Sequence, residues 1–156
     1  MAAKFKKNQL LVIPSSNEKI EKFTNYIMLN GKKLLARKIF EEAMKDIKKA
    51  GHPNPLIVWE WAIEKASPDV MVKSKRIWWA IYQVPIEVPN RKKFFYSCKW
   101  LLAAAKSKKW KNMSIKLSEE LLAAYAGQWA AVKKKEEVHK MAEANKAFAY
   151  LAKYVK

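Results

Sequence analysis

The fold is decided by residues 72–111, whose sequence is VKSKRIWWAIYQVPIEVPNRKKFFYSCKWLLAAAKSKKWK. In the first half, apolar and polar side chains alternate from Val70 onward, which predicts a two-stranded β-ribbon over about residues 70–88. From Arg91 the apolar side chains recur at helical spacing instead, which predicts a helix over residues 91–105. The stretch contains eleven Lys or Arg residues and one acid, Glu87. We therefore expect a cationic surface made of a ribbon followed by a helix.

The turn of the ribbon has an unusual sequence. Tight hairpin turns need a positive φ at one or both central residues, and Gly or Asn usually supplies it. The region of Trp78, Trp79 and Ala80 contains neither residue. The sequence therefore predicts a longer or irregular loop between the two strands.

The rest of the chain is predicted to be helical. Helix-start signals such as Asn54-Pro55, stop signals such as Gly51, and apolar periodicity together predict six helices. They are residues 18–29, a second helix that Gly51 ends, a third from Pro55 to before Pro68, residues 91–105, a fifth from Met113 to Gly127, and a sixth from about Val132 to beyond Ala149. The predicted fold is mainly α, a six-helix bundle with one protruding two-stranded β-ribbon. We expect a basic N-terminal arm over residues 1–17 and a single helical domain over residues 18–156.

The charge of the chain restricts its partners. The chain has 32 basic and 14 acidic residues, a formal net charge of +18, which opposes compaction and favours a polyanionic partner. Nucleic acid is the first candidate, with an anionic membrane surface behind it. No run of about 18 apolar residues is available to span a bilayer. We expect no membrane partner and no homo-oligomer.

Residues suited to catalysis or metal binding are scarce. The candidates are His52, His139, Cys98, Asp46 and Asp69. His139 and Glu143 have the i, i+4 spacing of a helical metal-ligand pair, but no Cys or second His lies at a supporting spacing. Cys98 falls among apolar residues in a helical pattern, so we expect it in the core. The sequence predicts a protein that is not an enzyme and holds no metal or cofactor.

The strongest candidate site is a nucleic-acid interface. Lys and Arg neutralise phosphates and release counterions, and such residues occupy consecutive predicted elements here. The candidates are Lys73, Lys75, Arg76, Arg91, Lys92, Lys93, Lys99 and Lys106. Three aromatic residues near the ribbon tip, Trp78, Trp79 and Tyr82, could stack on unpaired bases. Packing within the ribbon or against a partner protein is an equal alternative for these three.

A set of ordered motifs spans about residues 18–150. They are NGKK (30–33) with Ala36 and Ile39, PL (55–56), AIE (62–64), VKSKR (72–76), YQVP (82–85), EV (87–88), Trp100, KK (133–134), Glu136, VH (138–139) and MAEANKAFA (141–149). In this order they resemble the seventh small-subunit ribosomal protein family, in its bacterial type. That family commonly has Gly-Gly at the ribbon turn, where this chain has Trp78-Trp79. It also has an opening cluster of arginines, where this chain offers Lys4, Lys6 and Lys7.

The resemblance implies a helical bundle with an extended β-ribbon and a primary binder of small-subunit rRNA. Such a protein nucleates assembly of the 3′ major (head) domain through its arm, its first and fourth helices and its ribbon. Carried over by matching position, the rRNA-facing residues are Lys32, Lys33, Lys73, Lys75, Arg76, Arg91, Lys92 and Lys99. The resemblance also implies that the ribbon tip lies near exit-site tRNA and mRNA. It further implies that the C-terminal helix lies near other head proteins and the eleventh small-subunit protein.

The composition leaves the compartment and one competing function open. A Lys-rich, Trp-rich and Gly-poor chain suits an A+T-rich genome that reads an additional codon as Trp. We therefore expect a ribosome in the mitochondrial matrix, in another organelle or in a bacterial cytoplasm. The competing function class is a free-standing basic regulator that binds DNA or its own messenger RNA outside the ribosome.

Overall fold

The structure is a computed structural model that describes residues 17–127 and 130–154. The elements, in chain order, are α1 Glu18–Ile27, α2 Lys33–Lys49, α3 Pro55–Ala66, β1 Val70–Ile77, β2 Ala80–Glu87, α4 Asn90–Ser107, α5 Met113–Tyr125, α6 Ala130–Ala144 and a C-terminal 3₁₀ helix Lys146–Tyr154. This confirms the predicted fold class, mainly α with a two-stranded ribbon. The predicted arm, with Lys4, Lys6 and Lys7, lies outside the described residues apart from Asn17.

Three aromatic rings hold the first three helices together. Phe23 of α1 lies 5.7 Å from Phe40 of α2 and 5.6 Å from Trp59 of α3, measured between ring centroids. Phe40 and Trp59 are 6.0 Å apart, and all three pairs meet edge to face. This geometry suits the quadrupoles of aromatic rings and adds to the gain from burying them. The cluster fixes how α1, α2 and α3 cross.

Helix α5 lies against α2, α3 and α4 and completes the bundle. Its Leu117 and Leu121 are fully buried, as are Cys98 and Leu101 of α4. Each buried aliphatic side chain of this size contributes about 1.5–3 kcal/mol relative to an exposed one. The prediction that Cys98 belongs to the core is confirmed. No helix among residues 17–127 and 130–154 is both long and apolar enough to cross a bilayer.

The ribbon differs from prediction at its turn. Strands β1 and β2 pair antiparallel from Val70 with Glu87 to Ile77 with Ala80, so the turn has only two residues, Trp78 and Trp79. The expected longer or irregular loop is wrong. Trp78 has a φ of 57°, a conformation usually left to Gly, while Trp79 has no positive φ, as in a type II′ turn. The paired strands impose this conformation on a bulky residue.

The C-terminal end also differs from prediction. Helix α6 ends at Ala144 and does not continue beyond Ala149. The Asn145 side-chain Nδ2 donates to the Met141 carbonyl at 2.7 Å, and the Phe148 N–H then donates to the Asn145 carbonyl at 2.9 Å. The Asn145 backbone N–H also donates to the Met141 carbonyl, at 3.2 Å, in the α-helical pattern, and the chain then tightens into a 3₁₀ helix.

The 3₁₀ helix supports the ribbon. It packs against β2, and the ring centroid of Phe148 lies 5.4 Å from that of Tyr82. Helix α6 packs against β1 in the same way. The ribbon is therefore held against the body of the protein on the side that carries Tyr82, and its turn projects beyond that support.

Replacing Trp59 by Ala should lower the free energy of unfolding by about 3–5 kcal/mol, because both Phe23 and Phe40 lose their contact with its ring. The matched control is Trp61→Ala, two residues along the same helix, where the side chain is 51% exposed. Trp61 contacts Lys65 through a cation–π interaction, so its loss should cost no more than about 1 kcal/mol. Guanidinium unfolding followed by circular dichroism measures both, and equal losses would contradict this description of the core.

Candidate nucleic-acid interface

Helix α4 has one apolar face and one cationic face. Cys98, Leu101 and Ala105 are fully buried on the apolar face. The predicted lysines Lys92, Lys99 and Lys106 are exposed. They are spaced seven residues apart, about two helical turns, so they form a single row along the helix. The buried face therefore determines that this row of ammonium groups points away from the core.

The ribbon continues the cationic surface. Side chains alternate between the two faces of a strand, so Lys73 and Lys75 share one face of β1 and Arg76 lies on the other. Lys73 and Arg76 are exposed, and Lys75 is half-buried opposite Tyr82 in the paired strand. The ribbon thus offers positive charge on both faces toward its turn.

The other predicted cations divide into exposed and paired residues. Lys32 and Arg91 are exposed. Lys33 lies 2.9 Å from Glu21, which also receives a hydrogen bond from Arg37 at 3.1 Å. The Lys33 hydrogen bond is the main reason that the pKa of Glu21 lies below its ordinary value. Lys33 therefore joins α2 to α1 and has less freedom to reach an external anion than Lys32 has.

Asp69 connects the base of the ribbon to two helices. Its carboxylate lies 2.6 Å from the Lys93 ammonium of α4, and this hydrogen bond holds the pKa of Asp69 below its ordinary value. Its backbone N–H donates to His139 Nε2 of α6 at 3.2 Å, and its carbonyl accepts from the Val88 N–H at 2.9 Å. Lys93 is thus a residue that joins the ribbon to the helix, while its neighbour Lys92 stays exposed.

The aromatic residues of the ribbon fall into two groups. Trp78 is 86% exposed and Trp79 is 90% exposed. Tyr82 is half-buried against Phe148. Tyr82 therefore packs against the protein's own 3₁₀ helix, which neither alternative described. The exposed rings of Trp78 and Trp79 fit stacking on bases and packing against a partner protein equally well.

The candidate catalytic and metal-binding residues are not assembled into a site. His139 accepts a hydrogen bond from the backbone of Asp69, and burial raises the pKa of the Cys98 thiol to about 12. A thiol with this pKa is protonated at neutral pH and is a poor nucleophile. Among residues 17–127 and 130–154, no group of three His, Cys, Asp or Glu side chains is arranged to hold a metal ion.

The most exposed aromatic side chain among residues 17–127 and 130–154 is not among the predicted site residues. Trp110, in the loop between α4 and α5, is 97% exposed and has a φ of 68°. The available signal was its position between lysines in the sequence KKWK, residues 108–111. Periodicity could not reveal it, because the residue lies outside any helix or strand.

The fold and this surface define the class: a basic, mainly helical protein with a cationic helix face and a cationic ribbon. A family model described as Ribosomal protein S7p/S5e matches residues 2–146. The chain belongs to this family. Because the family consists of ribosomal proteins, both the resemblance and the prediction that the chain is not an enzyme are confirmed.

Bacterial relatives named small ribosomal subunit protein uS7 are similar to the chain over most of their length. The protein of Wigglesworthia glossinidia brevipalpis is 42% identical over 146 residues, covering 92% of this chain and 94% of the relative. That of Pseudothermotoga lettingae is 46% identical over 132 residues, covering 85% of each. That of Francisella tularensis subsp. holarctica is 47% identical over 132 residues, covering 84% of each.

Replacing Glu21 by Gln should lower the free energy of unfolding at pH 7 by about 1 kcal/mol, because Lys33 and Arg37 lose their charged acceptor. The pKa of Glu21 is lowered in the folded state, so its stabilisation is present above the ordinary value of 4.5 and is lost as the pH falls through the folded pKa. The difference in the free energy of unfolding between the unmodified chain and Glu21→Gln should therefore become smaller in acid.

Urea unfolding between pH 3 and 7 measures this difference. Glu18→Gln is the matched control, because Glu18 makes an exposed i, i+4 pair with Lys22 on the same helix. Its effect at pH 7 should be smaller than that of Glu21→Gln. If Glu21→Gln lowered the free energy of unfolding by the same amount at pH 3 and pH 7, the ionised Glu21 carboxylate would not be the source of the stabilisation.

Proposed function

We propose that the chain is a structural constituent of the small ribosomal subunit, a primary rRNA-binding protein that nucleates assembly of the 3′ major (head) domain. The observation that carries the proposal is the row of exposed lysines on α4, Lys92, Lys99 and Lys106, opposite a fully buried face. Membership in a ribosomal-protein family supports the same role. The action is binding and positioning of folded RNA, without catalysis.

The mechanism is neutralisation of phosphates by a fixed pattern of charges. At 1.5 Å per residue, the row from Lys92 to Lys106 extends for about 21 Å along α4. Because α4 is anchored in the core, the RNA meets charges at set positions rather than on mobile segments. Arg91 and the ribbon residues Lys73 and Arg76 extend the surface. Each phosphate contact releases counterions, which supplies affinity independent of base sequence.

The prevalence of lysine in this surface favours recognition of shape over recognition of bases. Lysine binds phosphate as a compact point charge, whereas the planar fork of arginine is better suited to bidentate contacts of fixed geometry. Phosphate contacts fix position and orientation on the RNA. The surface therefore suits a folded rRNA domain whose backbone presents phosphates in a defined arrangement.

The ribbon turn and the C-terminal end support further contacts within the same role. Exposed Trp78 and Trp79 suit stacking on unpaired bases near the exit-site tRNA and mRNA path. Exposed Tyr150 and Tyr154 of the 3₁₀ helix suit contact with neighbouring head proteins and the eleventh small-subunit protein. The named relatives are bacterial, which favours a bacterial-type ribosome, in a bacterium or in an organelle.

Binding to a transcript of the small-subunit rRNA head domain should weaken steeply with salt. A protein that makes six to ten phosphate contacts loses about 10³-fold or more in affinity between 50 and 200 mM salt. The double variant Lys73→Glu with Lys99→Glu should bind about tenfold more weakly or worse, because two contacts become repulsive. Filter binding over a salt series measures both effects. Salt-independent binding, or an unaffected double variant, would contradict the proposal.

The neighbours Lys92 and Lys93 provide a matched control within the same experiment. Lys92→Ala removes an exposed cation and should lower the slope of log K against log salt by about one contact. Lys93→Ala removes a cation already paired with Asp69 and should lower the slope less. An equal reduction for both variants would show that the ion pair does not restrict Lys93.

A free-standing regulator would also be basic and bind RNA, and sedimentation separates the two roles. If the chain is a ribosomal constituent, most of it in a cell extract should sediment with the small subunit at low salt. High salt or the variant with Lys73→Glu and Lys99→Glu should shift it toward the top of the gradient, because the contacts are electrostatic. A chain found only near the top at low salt would favour the regulator.

A further inference from the structure

We propose that Trp110 is a base-stacking site for RNA, separate from the ribbon turn, in which the exposed indole of the α4–α5 loop stacks on one unpaired base. The inference rests on the proposed function, since it requires that the chain bind RNA. It goes beyond that function because it adds a contact with a base to a surface otherwise described by contacts with phosphates.

The loop that carries Trp110 is anchored on both sides. Before it, the Lys108 ammonium lies 2.8 Å from the Glu120 carboxylate, which is almost fully buried, and 3.7 Å from that of Glu119. After it, Lys111 makes an ion pair with Glu119. Both acids belong to α5, so the ends of the loop are tied to the body of the bundle. Trp110 therefore lies in a loop whose two ends are held to α5 by ion pairs.

Folding of the chain does not explain Trp110. The side chain is 97% exposed, so it buries almost no apolar area, and its φ of 68° is a conformation that costs an L-residue free energy. Conformations of this kind persist where the surrounding structure imposes them, and they concentrate at sites of function. Because the Trp110 side chain is almost fully exposed, both faces of its indole ring are open to a partner.

The electrostatic surroundings favour RNA as that partner. The two acids that reach the loop, Glu119 and Glu120, are paired with Lys108 and Lys111, and no Asp or Glu lies between Glu87 and Glu119 in the sequence. Lys106 and Lys109 are exposed, and over residues 17–127 and 130–154 the structure gives neither an acidic partner within 4.0 Å. An aromatic ring next to unpaired ammonium groups matches a nucleotide, in which a flat base adjoins a phosphate. The row of lysines on α4 leads directly to this loop, since Lys106 is its last member.

The ribbon turn contains the same combination of features. Trp78 also has a positive φ, 57°, and 86% exposure, and it follows Arg76 and Lys75 closely in sequence. Two separate loops therefore present an indole from a left-handed residue beside basic side chains. Because bases within a duplex are already stacked on both sides, the partner of Trp110 is a base in a loop, bulge or end of the RNA.

The test compares Trp110→Ala, Trp110→Phe and Trp110→Leu in the full chain, with the head-domain rRNA transcript as the probe. Loss of one stacked base should weaken binding of Trp110→Ala by at least about fivefold. Trp110→Phe keeps a ring and should retain most of the affinity, while Trp110→Leu should resemble Trp110→Ala. The slope of log K against log salt should stay unchanged in all three, because no phosphate contact is lost. Trp61→Ala is the control for loss of an exposed tryptophan and should bind within about twofold of the unmodified chain.

Chemical probing of unpaired bases supplies the second measurement. At least one unpaired base should be protected by the unmodified chain and by Trp110→Phe and become reactive with Trp110→Ala. Equal binding by Trp110→Leu and Trp110→Phe, or no loss in Trp110→Ala with an unchanged circular dichroism spectrum, overturns the Trp110 proposal and leaves salt-dependent RNA binding intact. If the unmodified chain does not bind the transcript at any salt concentration, the proposed function fails as well.

Discussion

Burial of one face of helix α4 is the constraint on which the rest of the structure depends. Cys98, Leu101 and Ala105 have no exposed surface, so rotation of the helix would bring lysines into the core at a prohibitive desolvation cost. The buried face of α4 therefore both stabilises the bundle and orients the row of exposed lysines on the opposite face. Asp69 then sets the ribbon relative to that row through Lys93 and His139. A partly exposed ion pair of this kind adds little stability, and its role is mainly to fix position.

Four of the 14 acidic residues tie separate parts of the fold together, and the exposed basic residues outside these pairs are open to a partner. Glu21, Asp69, Glu119 and Glu120 each hold a cation from another element or loop. The formal net charge of +18 nevertheless leaves a repulsive surface, which opposes the compact state of the free chain. A polyanion that binds only the folded chain relieves this repulsion, so binding and stability are thermodynamically linked.

Local patterns predicted the parts of the structure that local forces determine. The periodicity of α4, the change of period at Val70 and the proline at the start of α3 all correspond to the observed elements. The pairing of Lys33 with Glu21 and of Lys93 with Asp69 could not be read in this way, because each partner is distant in sequence and only tertiary packing brings them together. The change from α to 3₁₀ geometry after Asn145 could not be read either, because the helical pattern continues past that residue.

The prediction of a longer loop at the ribbon turn was wrong for a different reason. The preference for Gly or Asn at a positive φ reflects a free-energy cost, and it does not forbid other residues. A tryptophan with a positive φ costs roughly 1–3 kcal/mol, which would decide the conformation of an isolated dipeptide. In the ribbon, the backbone pairing from Val70 to Ile77 and the packing of β2 on the 3₁₀ helix act together against that cost. Glycine at Trp78 would relieve the strain but would remove the exposed ring. At Trp78, and again at Trp110, an almost fully exposed ring therefore accompanies a strained backbone, and burial of the ring within the protein does not offset that strain.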